Sequence, residues 1–276
     1  MSYKFLILGS GQLGTELIQL AKDGAYTYHK LDPLGKGIQL DVTNFDLVED
    51  LIIKLSPDII INTVALTDVD KCEKERNLAI KINAEAVKHI VRASRVSSSY
   101  LVHISTDYVF DGRKGLYKED DEPNPINYYG LSKLLGETYA LSYDDSIIIR
   151  TSGIFRHKGF LATVVKQLKS GKQVYAYKGY YSPISAKLLA ESIVKVIELR
   201  KTGIINIAGE RISRYEIAIK IAKMLNLNIN DIHEIDKGGD WLAARPFDSS
   251  LDISKAKALL GFDFYSIENN IRYLIV

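Results

Sequence analysis

The chain contains a single cysteine, Cys72, so no internal disulfide can form, and its five histidines show neither His-x-x-x-His nor another metal-ligand spacing. Both shortages suit a reducing cytoplasm and give no ground for expecting a structural metal. Charge of one sign is also missing. Thirty-six Lys and Arg against 34 Asp and Glu leave a net +2, interspersed, with neither the basic stripe that binds nucleic acid nor an acidic tail. No apolar run approaches the roughly 18 residues needed to span a bilayer. The run Phe5-Leu6-Ile7-Leu8 is too short for a targeting segment and passes straight into glycines. There is no internal repeat, no low-complexity stretch and no proline- or glycine-rich linker. A nucleic-acid or membrane partner is therefore not expected, and a small-molecule enzyme or a protein-binding module remains.

What is present is core material: 46% of 276 residues are apolar, enough for one large α/β domain with a smaller appendage. Lys4 to Leu8 reads as a strand, Gly9-Ser10-Gly11-Gln12-Leu13-Gly14 as a tight turn, and Leu13, Leu17, Ile18 and Ala21 recur at helical spacing. Strand, glycine turn and helix form the arrangement in which backbone amides receive a pyrophosphate. Asp32 follows a second strand, Ala25 to Leu31, close to where a ribose-binding acid stands; before Pro33 it is equally an ordinary turn residue. Ile38 to Asp41 reads as a third strand, Phe45 to Leu55 as a helix capped by Thr43 or Asn44, and Ile59-Ile60-Ile61 as a strand buried on both faces. A helical stretch from about Glu73 to Ser97 leads to the strand Tyr100 to Ile104, and another strand, Ser146 to Arg150, follows. This alternation predicts a Rossmann-like, doubly wound parallel sheet over residues 1–150. Residues 151–276 are expected partly to complete the sheet and partly to build a smaller substrate-binding lobe.

Tyr129 and Lys133 lie four apart in Asn127-Tyr128-Tyr129-Gly130-Leu131-Ser132-Lys133. On a helix they share one face. A cation about 5 Å from a phenol, at an effective dielectric of about 20, favours the phenolate by roughly 3 kcal/mol, which predicts a lowered tyrosine pKa and proton exchange near neutral pH. The spacing recurs at Tyr26 and Lys30, but that stretch reads as a strand, where residues four apart do not meet. Cys72, in a charged stretch without a basic activator, reads as packing or surface.

Taken together, Gly9 to Gly14, Leu40-Asp41-Val42, Val69-Asp70-Lys71, the string His103-Ile104-Ser105-Thr106-Asp107-Tyr108-Val109-Phe110-Asp111-Gly112, Tyr129 to Lys133, Arg150-Thr151-Ser152, and Arg245-Pro246 with Leu251-Asp252 resemble the dTDP-4-dehydrorhamnose reductase family of extended short-chain dehydrogenases. The resemblance implies reduction of the 4-keto group of dTDP-4-dehydro-L-rhamnose with NADPH or NADH. It implies Tyr129 as proton donor, Lys133 as its partner and Thr106 as a hydrogen-bonding group on the same oxygen. Gly9, Gly11, Gln12, Leu13 and Gly14 would serve the pyrophosphate, Asp32 the adenosine ribose, Asp41 and Val42 the adenine, and Ala65, Leu66 and Thr67 the nicotinamide side. Val69, Thr106, Asp107, Tyr108, Gly153 and Arg245 would face the nucleotide-sugar. Asp32 would repel a 2′-phosphate whereas Lys30 and Lys36 would neutralise one, which leaves both cofactors open. A homodimer is also left open.

Two departures from the family pattern stand out. The first glycine interval is one residue shorter than usual, and Gly153 stands where the family usually has a tryptophan beside the sugar. Unless Phe155, Tyr180 or Tyr181 fills that place, the hold on the sugar is expected to weaken and Gly153→Trp to improve it. Two other functions fit the same motifs. One is a non-catalytic dinucleotide-binding subunit, similar to the regulatory subunit of methionine adenosyltransferase; the other is an epimerase or dehydratase on a different nucleotide-sugar.

Overall fold

The structure, a computed structural model, describes residues 3–21, 24–30, 32–236 and 241–274. Its centre is a seven-stranded, wholly parallel sheet. In chain order the strands are β1 (Phe5–Leu8), β2 (Ala25–Tyr28), β3 (Ile38–Gln39), β4 (Ile59–Asn62), β5 (Tyr100–Thr106), β6 (Ser146–Thr151) and, after two short strands outside the sheet, β9 (Gly203–Asn206). The spatial order is β3-β2-β1-β4-β5-β6-β9. The order reverses between β1 and β4, and the crevice above their carboxyl ends is where ligands of such sheets collect.

The alternation of side chains along each strand splits the core in two. Ile7, Ile61, Val102 and Ile149 face one layer, against Leu17 of α1 (Gln12–Leu20) and Leu188, Leu189 and Ile193 of α8 (Ala186–Glu198). Leu6, Leu8, Ile60, Leu101 and Ile148 face the other, against Val48 and Ile52 of α2 (Phe45–Leu55) and Val87 and Ile90 of α5 (Ala86–Ser97). All four residues of β4 are buried, as its unbroken apolar run predicts for a central strand. Asn44 is the cap of α2, its side chain accepting from the Leu47 amide at 3.3 Å.

The expected helix from Glu73 to Ser97 is instead α3 (Val69–Lys74), a break at Glu75, α4 (Arg76–Ile80), a π-helical turn over Lys81–Glu85, and α5. The break releases Glu73, whose carboxylate accepts the Tyr128 amide at 2.7 Å and so satisfies the first N–H of α6 (Tyr128–Leu141). The wider π turn points Asn83 inward, with its amide nitrogen on Leu66 O (3.1 Å) and Ser132 Oγ (2.9 Å). The second and third strands are shorter than expected, and Leu31, the far end of the predicted second strand, lies outside the described residues.

Beyond β6 the chain both completes the sheet, through α8 and β9, and forms a smaller lobe. In that lobe α7 (Phe160–Lys169) and α9 (Arg214–Met224) pack together over two short ladders. β7 (Val174–Tyr177) pairs in parallel with β11 (Ile232–Ile235), and β8 (Tyr180–Tyr181) pairs antiparallel with β10 (Ile212–Ser213). α10 (Ser254–Leu260) and α11 (Ile267–Ile271) end the chain. Among the described residues no helix is long and apolar enough to cross a membrane.

Candidate active site

The glycine turn joins β1 to α1, and its backbone is as tight as the spacing predicts. Gly9 has φ +98°, and a Cβ on Gly14 would stand 2.2 Å from the Gly9 carbonyl oxygen. Gly11, by contrast, has open space on its Cβ side. It precedes a nine-residue helix whose first turn carries no acidic residue and whose cap residue makes no side-chain hydrogen bond. The amides there are free to receive an anion.

Gly11, Gln12, Leu13 and Gly14 open onto a cavity of about 600 Å³ that runs across the sheet's carboxyl edge into the smaller lobe. Ala65, Thr67 and Val69 line it after β4, Thr106, Asp107 and Tyr108 after β5, and Tyr129, Lys133 and Gly153 from α6 and the end of β6. Most of the residues singled out in the sequence thus share one enclosure.

Six others do not line it. Gly9 shapes the turn from behind. Asp32 is engaged within its own loop: its carboxylate accepts the Tyr26 hydroxyl, the Leu34 amide at 3.1 Å and the Gly37 amide at 2.7 Å. Asp41 closes a turn onto the Thr43 amide and hydroxyl at 2.9 and 2.8 Å, and Val42 is packed in the core. Leu66 is held through its backbone by Asn83. Arg245 pairs with Asp70, one nitrogen on each carboxylate oxygen at 3.2 and 3.0 Å, and stacks on Trp241. The pair ties the loop from Trp241 to Pro246 onto α3 rather than presenting a free cation.

Tyr129 and Lys133 lie one turn apart on α6, as the spacing requires. Tyr26, the other tyrosine with a lysine four residues on, is on β2 and almost fully buried. The expected lowering of the Tyr129 pKa is overturned. Burial drives the phenol upward, an effect that the Thr106 hydroxyl only partly offsets and that Asp107, Cys72 and Tyr108 reinforce. The simple Coulomb argument neglected desolvation, which acts on both partners. Lys133, only 2% exposed, is brought down from 10.5 to about 8 by burial, with Glu137 pulling partly the other way. Its ammonium donates to the Ile104 carbonyl at 2.7 Å, leaving two further N–H donors for the cavity. Cys72 is buried and pushed up to about 12 by desolvation, an inert thiol.

Thr106 and Asp107 form a bonded unit. The Thr106 hydroxyl donates to Asp107 Oδ1 at 3.1 Å, while Asp107 Oδ2 accepts from Ser152 Oγ at 2.7 Å and Ser249 Oγ at 2.5 Å. Burial raises the Asp107 pKa, and the three hydroxyls and the charge of Arg214 draw it back. To donate to a ligand, Thr106 must turn its one proton away from Asp107.

Gly153 is where the site departs most from expectation. Its φ is +49°, and a Cβ there would stand 2.7 Å from Cε2 of Tyr181. The Tyr181 ring, reaching in from β8, already occupies the space a side chain at 153 would use. Gly153→Trp is therefore expected to damage the site: overpacking and left-handed backbone strain together cost about 2–4 kcal/mol. Thermal unfolding should show the loss, and steady-state kinetics a raised KM. Wild-type stability with a lowered KM would show that Tyr181 can step aside.

Of the three aromatics that the sequence offered for the place beside Gly153, Tyr181 is the one that fills it. Sequence reasoning missed Arg214 and Lys158, and had Thr151 only as part of a motif, though all line the cavity. Gln12 also plays an unforeseen part, because its side-chain oxygen accepts the His157 and Lys158 amides at 3.0 and 2.9 Å. With the Glu16–Arg156 ion pair, it fastens the strap 154–159 over the glycine turn.

The family model described as the RmlD substrate binding domain matches residues 3–275. The chain is 35% identical to a dTDP-4-dehydrorhamnose reductase of Aggregatibacter actinomycetemcomitans, with 98% of each chain covered. Among solved structures it is similar to a hypothetical dTDP-4-dehydrorhamnose reductase from Sulfolobus tokodaii, at 58% identity and TM-score 0.95, covering 99% of this chain and 100% of that one. It is also similar to the Bacillus anthracis dTDP-4-dehydrorhamnose reductase in complex with NADP, at 30% identity and TM-score 0.86, covering 98% and 97%. A family match over almost the whole length, joined to an intact glycine turn and Thr106, Tyr129 and Lys133 on one cavity wall, means that this chain belongs to the dTDP-4-dehydrorhamnose reductase family.

Proposed function

We infer that the protein is an NAD(P)H-dependent reductase that converts the 4-keto group of dTDP-4-dehydro-L-rhamnose to the alcohol of dTDP-L-rhamnose. The observation that carries this reading is the meeting of Tyr129, Lys133 and Thr106 in one cavity that begins at the glycine turn. The open Gly11 and the free amides of α1 fit a dinucleotide pyrophosphate, held by Gly11, Gln12, Leu13 and Gly14 through the backbone. Bound NADPH or NADH supplies the hydride.

The protein's own part is to manage the charge that hydride addition leaves on oxygen. Tyr129, its pKa raised by burial, holds its proton at neutral pH, which is the form a reduction needs. It releases that proton only to a strong base such as a developing alkoxide. The Lys133 charge then stabilises the phenolate left behind. Thr106 orients the keto oxygen, and Asp107, fixed by two serines, holds a sugar hydroxyl. Residues 151–276, besides completing the sheet through α8 and β9, supply the substrate-binding lobe, and we place the enzyme in the cytoplasm, where its nucleotide-sugar substrate would be handled.

The direct test is to follow NADH and NADPH absorbance with purified protein and dTDP-4-dehydro-L-rhamnose. Stoichiometric oxidation of either cofactor, with dTDP-L-rhamnose as product, is expected; no oxidation of either sinks the reading and favours a binding subunit.

Lys133 adds a pH dependence. Its charge is present below about 8 and lost above it, so kcat/KM, which reports the free enzyme, is expected to fall as pH rises through about 8. Stability responds with the opposite sign. The unfolded lysine holds its proton up to 10.5, so the penalty for burying the charge is full below about 8 and relieved between 8 and 10.5. A kcat/KM profile flat from pH 7 to 10 would remove Lys133's charge from the mechanism.

A further inference from the structure

We propose that Arg214 is the anion-binding residue for the diphosphate of the nucleotide-sugar, with the Tyr181 hydroxyl as a second donor beside it. The proposal rests on the nucleotide-sugar reading of the site and names the residue that confers it. Charge comes first. A nucleoside-diphosphate sugar brings two negative charges into a cleft walled by protein, and these need a cation that is not already neutralised.

Most arginines around the site are engaged elsewhere. Arg245 is paired with Asp70, Arg156 with Glu16, Arg211 with Asp248 and Arg150 with Glu137, all within 4.0 Å. Three cations line the cavity with no carboxylate in ion-pair distance among the described residues: Lys158, Arg214 and Lys133, whose ammonium donates to the Ile104 carbonyl beside Tyr129. Lys158 stands at the glycine-turn end, its amide on Gln12. Arg214 stands in the smaller lobe as the first residue of α9, within the Ser213–Glu216 capping box. With Lys133 serving Tyr129, one further cation stands at each end for a phosphate-bearing ligand.

Arg214 is also held as a binding group is held. Its guanidinium carbon lies 4.3 Å from the centroid of the Tyr181 ring and 6.0 Å from that of Tyr177, so aromatic faces fix its plane without consuming its N–H donors. The Tyr108 hydroxyl engages the guanidinium too, a neutral contact that leaves its charge uncompensated. The capping box takes the Glu216 carboxylate onto the Ser213 amide at 2.8 Å, away from Arg214. Asp107, on which the arginine's charge acts, has its oxygens taken by three hydroxyls.

An independent observation points to a ligand. The Tyr181 hydroxyl and Thr151 Oγ1 are both buried, both belong to residues that line the cavity, and neither has a hydrogen-bond partner. Buried polar atoms are rarely left so, and a bound molecule is a common reason. Gly153 now has a function too. By carrying no side chain it lets the Tyr181 ring lie where it supports Arg214, so the aromatic that the family pattern places at 153 is exchanged for a tyrosine–arginine stack.

The test is calorimetric, with the protein saturated with NADPH so that the dinucleotide site is filled. dTDP and thymidine are titrated into wild type and into Arg214→Met, Arg214→Lys, Tyr181→Phe and Arg245→Met. Arg214→Met is expected to weaken dTDP about 10–100-fold with thymidine unchanged, Arg214→Lys to recover part of the loss, and Tyr181→Phe to cost about 2–10-fold. Arg245→Met should leave the dTDP-to-thymidine affinity ratio as it is. An unchanged dTDP affinity in Arg214→Met, a loss shared equally by thymidine, or no dTDP binding by wild type would each overturn the proposal. Arg214-dependent dTDP binding by a wild-type protein that oxidises no cofactor with the keto sugar would leave the subsite standing and remove only the reductase reading.

Discussion

Replacing Tyr129 with phenylalanine is expected to reduce kcat by about 10²–10⁴-fold while leaving NADPH affinity nearly unchanged. A positioned proton donor acts in the transition state, where hydride arrival creates an alkoxide, and its removal typically costs that much. The ring itself stays. It packs edge-on against Tyr108 at 5.7 Å between centroids, a contact that needs no hydroxyl, so the cavity wall is preserved. Steady-state kinetics beside a cofactor titration separate the effects. If Tyr129→Phe keeps more than about a tenth of wild-type kcat, the donor is another group. Tyr26→Phe is the matched control. It removes a phenol that serves only the Asp32 loop and should leave kcat alone.

The second large effect is on stability and comes from beneath the site. Arg150 and Glu137 are 3% and 1% exposed at their side chains, joined by three N–H···O bonds of 2.8 to 3.3 Å. Ser105 donates to the same carboxylate at 2.5 Å, and Arg150 also reaches the Glu119 carbonyl at 3.1 Å. Removing one member strands a buried charge, so Glu137→Leu is expected to cost about 3–5 kcal/mol. That is a large share of the roughly 5–15 kcal/mol that holds a domain folded. The double variant Glu137→Leu/Arg150→Met should regain much of the loss, because an apolar pair satisfies the same space. A denaturation series that finds the single variant within about 1 kcal/mol of wild type contradicts this account. In Glu137→Gln, loss of the carboxylate that supports the Lys133 charge should also move the fall in kcat/KM to lower pH.

How far the sequence revealed this depends on the range of the interaction. β1 and β4 were legible because strands buried on both faces carry continuous apolar runs, β5 because its apolar residues are interrupted only by His103 before its polar end, and the glycine turn because its backbone excludes a Cβ. Tyr129 and Lys133 were legible as a pair because helix geometry converts spacing into proximity. Their proton affinities were not, since desolvation depends on what packs over α6 from other parts of the chain. Arg245 looked available beside Pro246 because its partner Asp70 lies 175 residues away. Arg214, and the choice of Tyr181 over Phe155 and Tyr180, were hidden for a related reason. They come from a lobe whose strands are two to four residues long, too short to show a period, and they reach the cavity only when β8 and β10 pair. Ser249, which fixes Asp107 from 142 positions away, left no local trace.

The π turn at Lys81–Glu85 restricts which insertions and deletions this chain can accept. A π turn takes up one extra residue in about one revolution, so deleting one residue there would restore ordinary winding and remove the bulge, with α4 and α5 kept nearly in phase. If Val87 and Ile90 stayed against the sheet, Asn83 would rotate off Leu66 and Ser132, freeing the segment that carries Ala65 and Thr67 to the cavity. Length is therefore fixed at this point more strictly than residue identity. A homologue one residue shorter here would need a different tether for that segment, whereas substitutions at the exposed Lys81 leave the phase untouched.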